Sequence, residues 1–347
     1  MEQLAVLTRS GYVESIHYGY ICVVDSSGKI IKEIGDSNTK IYFRSSAKPI
    51  QAVPVIESGA SQHFGFTKKE ISIMCSSHSG QIMHQDTVTE MLKKIGEEAN
   101  VLKCGIMIPY NKEEANRLQS SKEKPSVLHC SCSAKHVGML TLAKYKNYSI
   151  DDYNRIDHPA QHEILNTISY FTDYNEENIT VGIDGCGAPI YIIPIYNIAL
   201  SYARIMNFAN DENSKYHKAC KTIIESMIEY PEMVAGDEEF CTELMRFTNG
   251  KLIGKVGSEA VYCVGIKDKG IGICVKIIDG NERAVYPVVM QILKELNILD
   301  KNELNNLQHW SRVELKNNLD EVIGDILPSF QLLNKYKLGD KVADTSV

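Results

Sequence analysis

A serine and a lysine three residues apart could supply a nucleophile and its base. In Ser45-Ser46-Ala47-Lys48 the hydroxyl and the amine would stand one turn apart on one face of a helix. Burial lowers the pKa of a lysine, and a neutral amine can take a proton from serine. The spacing also fits a capping serine beside a solvated lysine, and it recurs at Ser26, Ser37 and Ser121. Only the first case follows a strand-like segment and opens an apolar helical run, which favours the chemical interpretation.

Two other segments could bring polar groups to the same site. Cys75-Ser76-Ser77-His78-Ser79-Gly80 follows a predicted helix, where hydroxyls and an imidazole reach a surface or a cleft. Gly254-Lys255-Val256-Gly257 precedes a predicted strand, and serine β-lactamases carry Lys-x-Gly at a strand beside their active site. Each segment taken alone also fits ordinary capping or an unremarkable lysine.

Cysteines in two polar segments could hold a metal ion. Cys132-Ser133-Ala134-Lys135-His136 opens a predicted helix, and Asp184-Gly185-Cys186-Gly187 follows a predicted strand. Two thiolates, a third donor and water are a common zinc ligand set. Lys135 could be the third ligand only if the metal displaces its proton, because an ammonium has no lone pair. Two small buried cysteines beside an ordinary lysine are the alternative.

The order of strands and helices predicts an α+β fold. Alternating or apolar segments flank Asp25-Ser26-Ser27-Gly28 and Lys267-Asp268-Lys269-Gly270, and each arrangement predicts an antiparallel hairpin. Helical patterns dominate between them, and Thr67-Lys68-Lys69-Glu70 fits a capping box at the start of one helix. We therefore expect one antiparallel sheet built from the N- and C-terminal segments, with a helical lobe between them.

The chain is expected to form a single domain over residues 1–347, because it contains no Gly-rich linker and no internal repeat. The predicted sheet lobe covers about residues 1–60 and 250–335, and the predicted helical lobe covers about residues 61–249.

Composition excludes some classes of partner. Lys and Arg number 37 against 44 Asp and Glu, and no basic run offers a footprint for nucleic acid. No stretch reaches the length of about 18 apolar residues that a membrane helix needs, and the N-terminus does not resemble a secretion signal. Ten cysteines in a chain of this length predict reduced thiols, so we expect a cytoplasmic protein.

Six segments, taken together and in order, resemble the rhizobial-type L-asparaginase II family. They are Arg44-Ser45-Ser46-Ala47-Lys48-Pro49, Ser77-His78-Ser79-Gly80, Cys132-Ser133-Ala134-Lys135-His136, Asp184-Gly185-Cys186-Gly187, Pro231-Glu232-Met233-Val234-Ala235-Gly236 and Lys255-Val256-Gly257-Ser258-Glu259. The resemblance implies a serine-β-lactamase/penicillin-binding-like fold, a homodimer, and hydrolysis of L-asparagine to L-aspartate and ammonia.

The resemblance also implies roles for particular residues. It implies that Ser45 is the catalytic nucleophile with Lys48 as its base, and that Ser77 and Lys255 form a second catalytic pair. It places Arg44, His136 and Asp184 near the substrate. It also implies a zinc ion, with a structural or substrate-affinity role, that is bound by Cys132, Lys135 and Cys186. Cys130 departs from the family pattern and offers a competing thiolate close to Cys132.

Two other functions fit the same residues. The first is a glutaminase or another amidase on this scaffold, because one methylene changes binding by only about 1–3 kcal/mol. The second is a non-catalytic zinc or thiol-redox binding protein, in which Cys130, Cys132 and Cys186 matter and the serines are helix caps.

Overall fold

Two antiparallel sheets and a set of helices make up the fold. The structure, a computed structural model, describes residues 1–330 and 337–342. The strands are β1 (Glu2–Arg9), β2 (Tyr12–Asp25), β3 (Ile30–Ile34), β4 (Lys40–Tyr42), β5 (Thr180–Ile183), β6 (Pro189–Pro194), β7 (Leu252–Gly257), β8 (Val261–Ile266), β9 (Ile271–Ile277), β10 (Val313–Lys316) and β11 (Val322–Pro328). The large sheet has the order β10-β11-β1-β2-β9-β8-β7, with β3 paired to β2, and the small sheet has the order β4-β6-β5.

Most helices lie between the early and the late strands. They are α1 (Lys48–Gln51), α2 (Val53–Glu57), α3 (Ala60–His63), α4 (Lys68–Met74), α5 (Ile82–Lys94), α6 (Lys112–Ser121), α7 (Ser133–Tyr145), α8 (Pro159–Thr172), α9 (Ile195–Asn210), α10 (His217–Glu229), α11 (Phe240–Phe247), α12 (Val285–Glu295), α13 (Lys301–Asn306) and α14 (Gln308–Ser311). Within residues 1–330 and 337–342, none of these helices combines the length and the hydropathy that crossing a membrane requires.

The predicted α+β arrangement is confirmed. The N-terminal strand β2 pairs with the C-terminal strand β9, so that both ends of the chain share one sheet. The two predicted hairpins are β2–β3 and β8–β9. The predicted capping box also forms, since the Thr67 amide donates to the Glu70 carboxylate at 2.7 Å. Residues 331–335 of the predicted sheet lobe lie outside the described residues.

The structure adds elements that the sequence patterns did not indicate. The strands expected before Ser45 and before Asp184 are β4 and β5, but β6, which joins them in the small sheet, was not expected. The long buried helix α9 was not expected either. Buried faces cover most of α9, so its sequence lacks a clear alternation between apolar and polar positions. Short apolar runs such as β6 do not distinguish a strand from a helix by periodicity alone.

Helix α9 packs closely on the large sheet because β9 presents a glycine to it. A Cβ added at Gly272 would lie 1.9 Å from the Ala199 carbonyl oxygen and 2.5 Å from the Ala203 nitrogen. Both contacts are with helix backbone, which cannot move aside as a flexible side chain could. Gly272 therefore sets the distance between the sheet and its central helix.

We predict that Gly272→Ala lowers the free energy of unfolding by about 1–3 kcal/mol or more, because the added methyl forces α9 away from the sheet. Urea denaturation followed by circular dichroism measures the change. Gly185→Ala is the matched control, since a Cβ there meets no atom within 4 Å. Equal stability of the two variants would contradict the proposed close packing.

Candidate active site

Two lysine amines meet at one serine hydroxyl. Lys255 Nζ lies 2.8 Å from Ser77 Oγ, and Lys48 Nζ lies 3.1 Å from the same atom. Both lysines are buried, with exposed fractions of 0% and 1% respectively. Because an isolated buried ammonium is strongly disfavoured, two such amines in one place indicate a site built for chemistry.

The two amines have different surroundings. Lys48 Nζ also donates to the carbonyl oxygens of Ser76 and Ser131, so three oxygen acceptors surround it. Three acceptors match the three hydrogens of an ammonium. Among the residues that the structure describes, Lys255 Nζ bonds only the Ser77 hydroxyl and the Val256 carbonyl, which matches the two hydrogens of a neutral amine. The hydrogen bonds thus assign the positive charge to Lys48.

Electrostatics agree with this assignment. Burial, together with the nearby charge of Lys48, lowers the pKa of Lys255 to about 7. The amine of Lys255 is therefore free of its extra proton in a substantial fraction of molecules at neutral pH. A neutral amine that touches a hydroxyl can act as a base toward it.

Ser45 lies in the turn that begins the first helical segment, as the sequence predicted. The chain leaves β4, passes through Arg44 with a φ of 51°, and forms a single 3₁₀ turn over Arg44–Ala47 before α1. A non-glycine residue rarely adopts this left-handed conformation, and it costs of order 1 kcal/mol or more. The Arg44 guanidinium bonds the Asp184 carboxylate at 3.1 Å, which helps to hold the turn.

A glycine brings β7 against this turn. A Cβ added at Gly257 would lie 3.2 Å from the Ser46 nitrogen and 3.3 Å from the Phe43 carbonyl oxygen. Any side chain here would therefore push the strand away from the turn. The Lys-x-Gly pattern thus has a structural reason, because the glycine lets the strand that carries Lys255 reach the start of the helix.

Backbone hydrogen bonds fix the segment that carries Ser77. The Ser77 amide donates to the Val234 carbonyl at 2.9 Å, and the Ser79 amide donates to the Ala235 carbonyl at 2.7 Å. Val234 and Ala235 belong to the Pro231–Gly236 segment, which the sequence analysis singled out only through the family resemblance. Its role here is to hold the loop after α4 in place.

An open pocket of about 230 Å³ lies over these groups. It is lined by Ser45, Ser77, Ser79, Tyr110, Ser131, Ala235, Glu239, Val256, Ser258, Glu282 and Tyr286. Burial, followed by repulsion from Glu282, raises the pKa of Glu239, and burial raises the pKa of Glu282. Sequence reasoning missed Tyr110, Glu239, Glu282 and Tyr286, because only the fold brings these distant positions to one wall.

The predicted serine and lysine residues converge, but their pairing differs in part from the expectation. Ser77 bonds Lys255 as anticipated, and Lys48 bonds Ser77 as well. Within the described residues, no side-chain hydrogen bond joins Ser45 to Lys48; only the Lys48 backbone amide donates to the Ser45 carbonyl. Ser77, and not Ser45, is therefore the hydroxyl that both amines contact.

The residues predicted to contact the substrate lie away from the pocket that Ser45 and Ser77 line. His136 is fully buried, its Nδ1 lies 2.7 Å from the Tyr153 hydroxyl, and burial lowers its pKa to about 3. Arg44 and Asp184 bond each other. In the described part of the chain, none of these three residues lines the pocket over Ser45. His136 faces the interior because α7 turns that side toward Tyr153, so its contact with a substrate stays a prediction.

The predicted metal residues also come together. One donor atom each from Cys132, Asp184 and Cys186 lies within 4.8 Å of the other two, and Lys135 Nζ lies 3.2 Å from Cys186 Sγ. Burial opposes a charge on Lys135, but the Cys132 and Cys186 sulfurs raise its pKa overall. Hydrogen bonds from Cys130 and Cys186 lower the pKa of Cys132. Two sulfurs and a carboxylate at this separation fit a zinc ion, with Asp184 as a donor that the sequence analysis had placed near the substrate.

A serine hydroxyl in contact with a neutral amine has the groups that nucleophilic acyl transfer requires. Comparison with known proteins gives the family. The chain matches the L-asparaginase II family over residues 5–328, and it belongs to that family. This confirms the resemblance found in the sequence, and it makes the chain an amidohydrolase with a small-molecule substrate.

Other comparisons are more distant. No curated protein matches the chain. Among solved structures, it is similar to a protein described as a "putative beta-lactamase" from Bacteroides dorei, with 11% sequence identity and a TM-score of 0.42. The similarity covers 80% of this chain and 93% of the other.

Proposed function

We propose that this protein hydrolyses L-asparagine to L-aspartate and ammonia through a covalent acyl-serine intermediate. The observation that carries the proposal is the Ser77 hydroxyl, held between two buried amines in the pocket that Ser45 also lines. Family membership supports asparagine as the substrate. The hydrogen bonds support a serine–lysine mechanism.

In the proposed reaction, Ser45 Oγ attacks the carbonyl carbon of the side-chain amide. The proton of Ser45 passes through the Ser77 hydroxyl to the neutral amine of Lys255, while the Lys48 ammonium stabilises the negative charge that develops. Lys255 then returns the proton through Ser77 to the leaving nitrogen as the C–N bond breaks, and ammonia departs. Water attacks the resulting ester by the same route and releases aspartate and free Ser45.

This scheme changes one role that the family resemblance implied. Lys48 was expected to be the base for Ser45. Its amine instead has three oxygen acceptors, so it has no lone pair available for a proton. Lys255 is the amine with a pKa of about 7, and we therefore assign the base to Lys255.

The charges of the pocket favour an amino acid amide over a simple amide. Glu239 and Glu282 line the wall, and burial raises the pKa of both. The α-ammonium of asparagine would relieve the repulsion between these carboxylates. Glutamine carries the same group, so the glutaminase alternative is distinguished by comparing the two substrates. The homodimer and the cytoplasmic location stay predictions.

We predict that Ser45→Ala lowers kcat for ammonia release from asparagine by about 10³-fold or more, because it removes the nucleophile. Ser46→Ala is the matched control, since its hydroxyl bonds the Phe43 carbonyl and does not line the pocket. A coupled ammonia assay with asparagine and glutamine in parallel gives both activity and preference. Undiminished release by the Ser45 variant would remove the nucleophile assignment.

The pH dependence follows from Lys255. Because its neutral form is required and its pKa is about 7, kcat/KM should rise as the pH increases through about 7 and then level off. Lys255→Arg should abolish the rise together with most activity, because a guanidinium does not lose its proton. Lys251→Arg, near the start of the same strand, should keep the wild-type profile. A flat wild-type profile from about pH 6 to 8 would exclude this role of Lys255.

We also propose a zinc site formed by Cys132, Cys186 and Asp184, with Lys135 able to join after losing its proton. The ion would supply positive charge that orients the groups beside the cleft. Protein purified without chelator should contain about one zinc per chain, and Cys186→Ser should lose most of it. Cys220→Ala, a buried cysteine in α10, should retain the metal. Full activity in protein that contains no zinc would refute a functional role for the ion.

A further inference from the structure

One hydroxyl in the wall of the active-site pocket has already committed its hydrogen. Ser79 lines the pocket together with Ser77, and it is only 3% exposed. Its Oγ donates to Gln81 Oε1 at 3.2 Å. Because a hydroxyl has one hydrogen and two lone pairs, Ser79 can form further hydrogen bonds only as an acceptor.

The other partners of Gln81 fix the direction of this hydrogen bond. The Asp237 backbone amide donates to Gln81 Oε1 at 3.1 Å, and Gln81 Nε2 donates to an Asp237 carboxylate oxygen at 3.2 Å. A backbone N–H only donates and an ionised carboxylate only accepts, so the side-chain amide of Gln81 has one possible orientation. Its oxygen faces Ser79, and the Ser79 hydroxyl is therefore the donor.

Backbone contacts hold Ser79 in this position. Its amide donates to the Ala235 carbonyl at 2.7 Å, and its carbonyl accepts a hydrogen bond from the Asn111 amide at 2.9 Å. A Cβ added at Gly236 would lie 2.3 Å from Ser79 Oγ, so the hydroxyl packs directly against glycine backbone. These contacts place the hydroxyl oxygen before any substrate binds, which is the preorganisation that a recognition group needs.

No protein group uses the remaining lone pairs of Ser79. Among the residues that the structure describes, Ser79 Oγ accepts no hydrogen bond, whereas two amines contact the Ser77 hydroxyl. His78, which lies between the two serines, is fully buried and bonds Ser133 Oγ at 2.9 Å, and it does not line the pocket. The loop that carries Ser77 thus offers the pocket an uncharged acceptor as well.

We propose that Ser79 accepts a hydrogen bond from the side-chain amide nitrogen of the substrate, and that Gln81 is the positioning residue that keeps the hydroxyl from donating. This inference rests on the proposed hydrolysis of asparagine, in which Ser77 returns the proton to the leaving nitrogen and so places that nitrogen beside this loop. The α-ammonium of asparagine matches the pocket carboxylates described above. The amide hydrogens match the uncharged acceptor on Ser79.

This arrangement selects an amide over its oxygen analogue. L-Aspartate β-methyl ester carries an oxygen where asparagine carries its amide nitrogen, and that oxygen has no hydrogen to donate. Since Ser79 does not donate to it either, two sets of lone pairs would face each other in the complex. The product aspartate has the same disadvantage, which favours its release.

The test compares asparagine with L-aspartate β-methyl ester and measures the release of aspartate from both. Ser79→Ala should lower kcat/KM for the amide by about 10-fold or more and should not lower it for the ester. Gln81→Leu should also reduce the amide-to-ester ratio, because it frees the hydroxyl hydrogen to donate to the ester. Gln81→Glu is the matched control and should keep the wild-type ratio, because a carboxylate still accepts that hydrogen.

The Ser79 variant is expected to fold. Removing its hydroxyl leaves Gln81 Oε1 with the Asp237 amide as a partner, so no acceptor is left unpaired, and thermal melting of each variant verifies folding. An equal loss of kcat/KM on both substrates, or an unchanged ratio in Ser79→Ala, would overturn the inference.

Binding measurements separate this inference from the proposed function. In Ser45→Ala, which lacks the proposed nucleophile, titration calorimetry gives Kd for both compounds. Adding Ser79→Ala to this variant should weaken the binding of asparagine by about 10-fold and leave that of the ester unchanged. If this pattern appears but wild-type protein releases no ammonia, the hydrolysis is refuted and the recognition by Ser79 stands. Ammonia release by wild type, with equal weakening of both compounds in the double variant, would refute the recognition alone.

Discussion

The burial of two lysine amines around one serine hydroxyl is the constraint on which the rest of the site depends. Two ammonium groups in one dry place repel each other, and the described hydrogen bonds resolve this by leaving one amine neutral. That arrangement needs carbonyl oxygens aimed at Lys48 from two separate loops. The loops after α4 and before α7 are held in the conformations that supply these oxygens.

The fold meets this requirement with close backbone contacts. Gly257 lets β7 approach the turn at Ser45, and Gly272 lets α9 settle on the sheet to which β7 belongs. The backbone hydrogen bonds from Ser77 and Ser79 to residues 234–235 position the loop that carries the Ser77 hydroxyl. Each contact joins segments that are far apart in the sequence, so no single element contains the site.

Sequence patterns predicted those parts of the molecule that depend on local chemistry. The hairpin turns, the Thr67–Glu70 capping box and the helix start near Ser45 follow from residues within a few positions of one another. The side-chain pairing of Lys48 with Ser77, and not with Ser45, depends on where α1 meets the loop after α4, and spacing could not indicate it. Glu239 and Glu282 carry no motif, and their positions in the wall of the pocket emerge only from the tertiary structure.

The distance along the chain between Ser77 and Lys255, 178 residues, has a consequence for biosynthesis. While the ribosome is still making the C-terminal strands, the nascent polypeptide contains both serines but lacks the amine that completes the site. In the proposed mechanism, hydrolysis is therefore possible only after β7 has joined the sheet, and non-local strand pairing of this kind is slow.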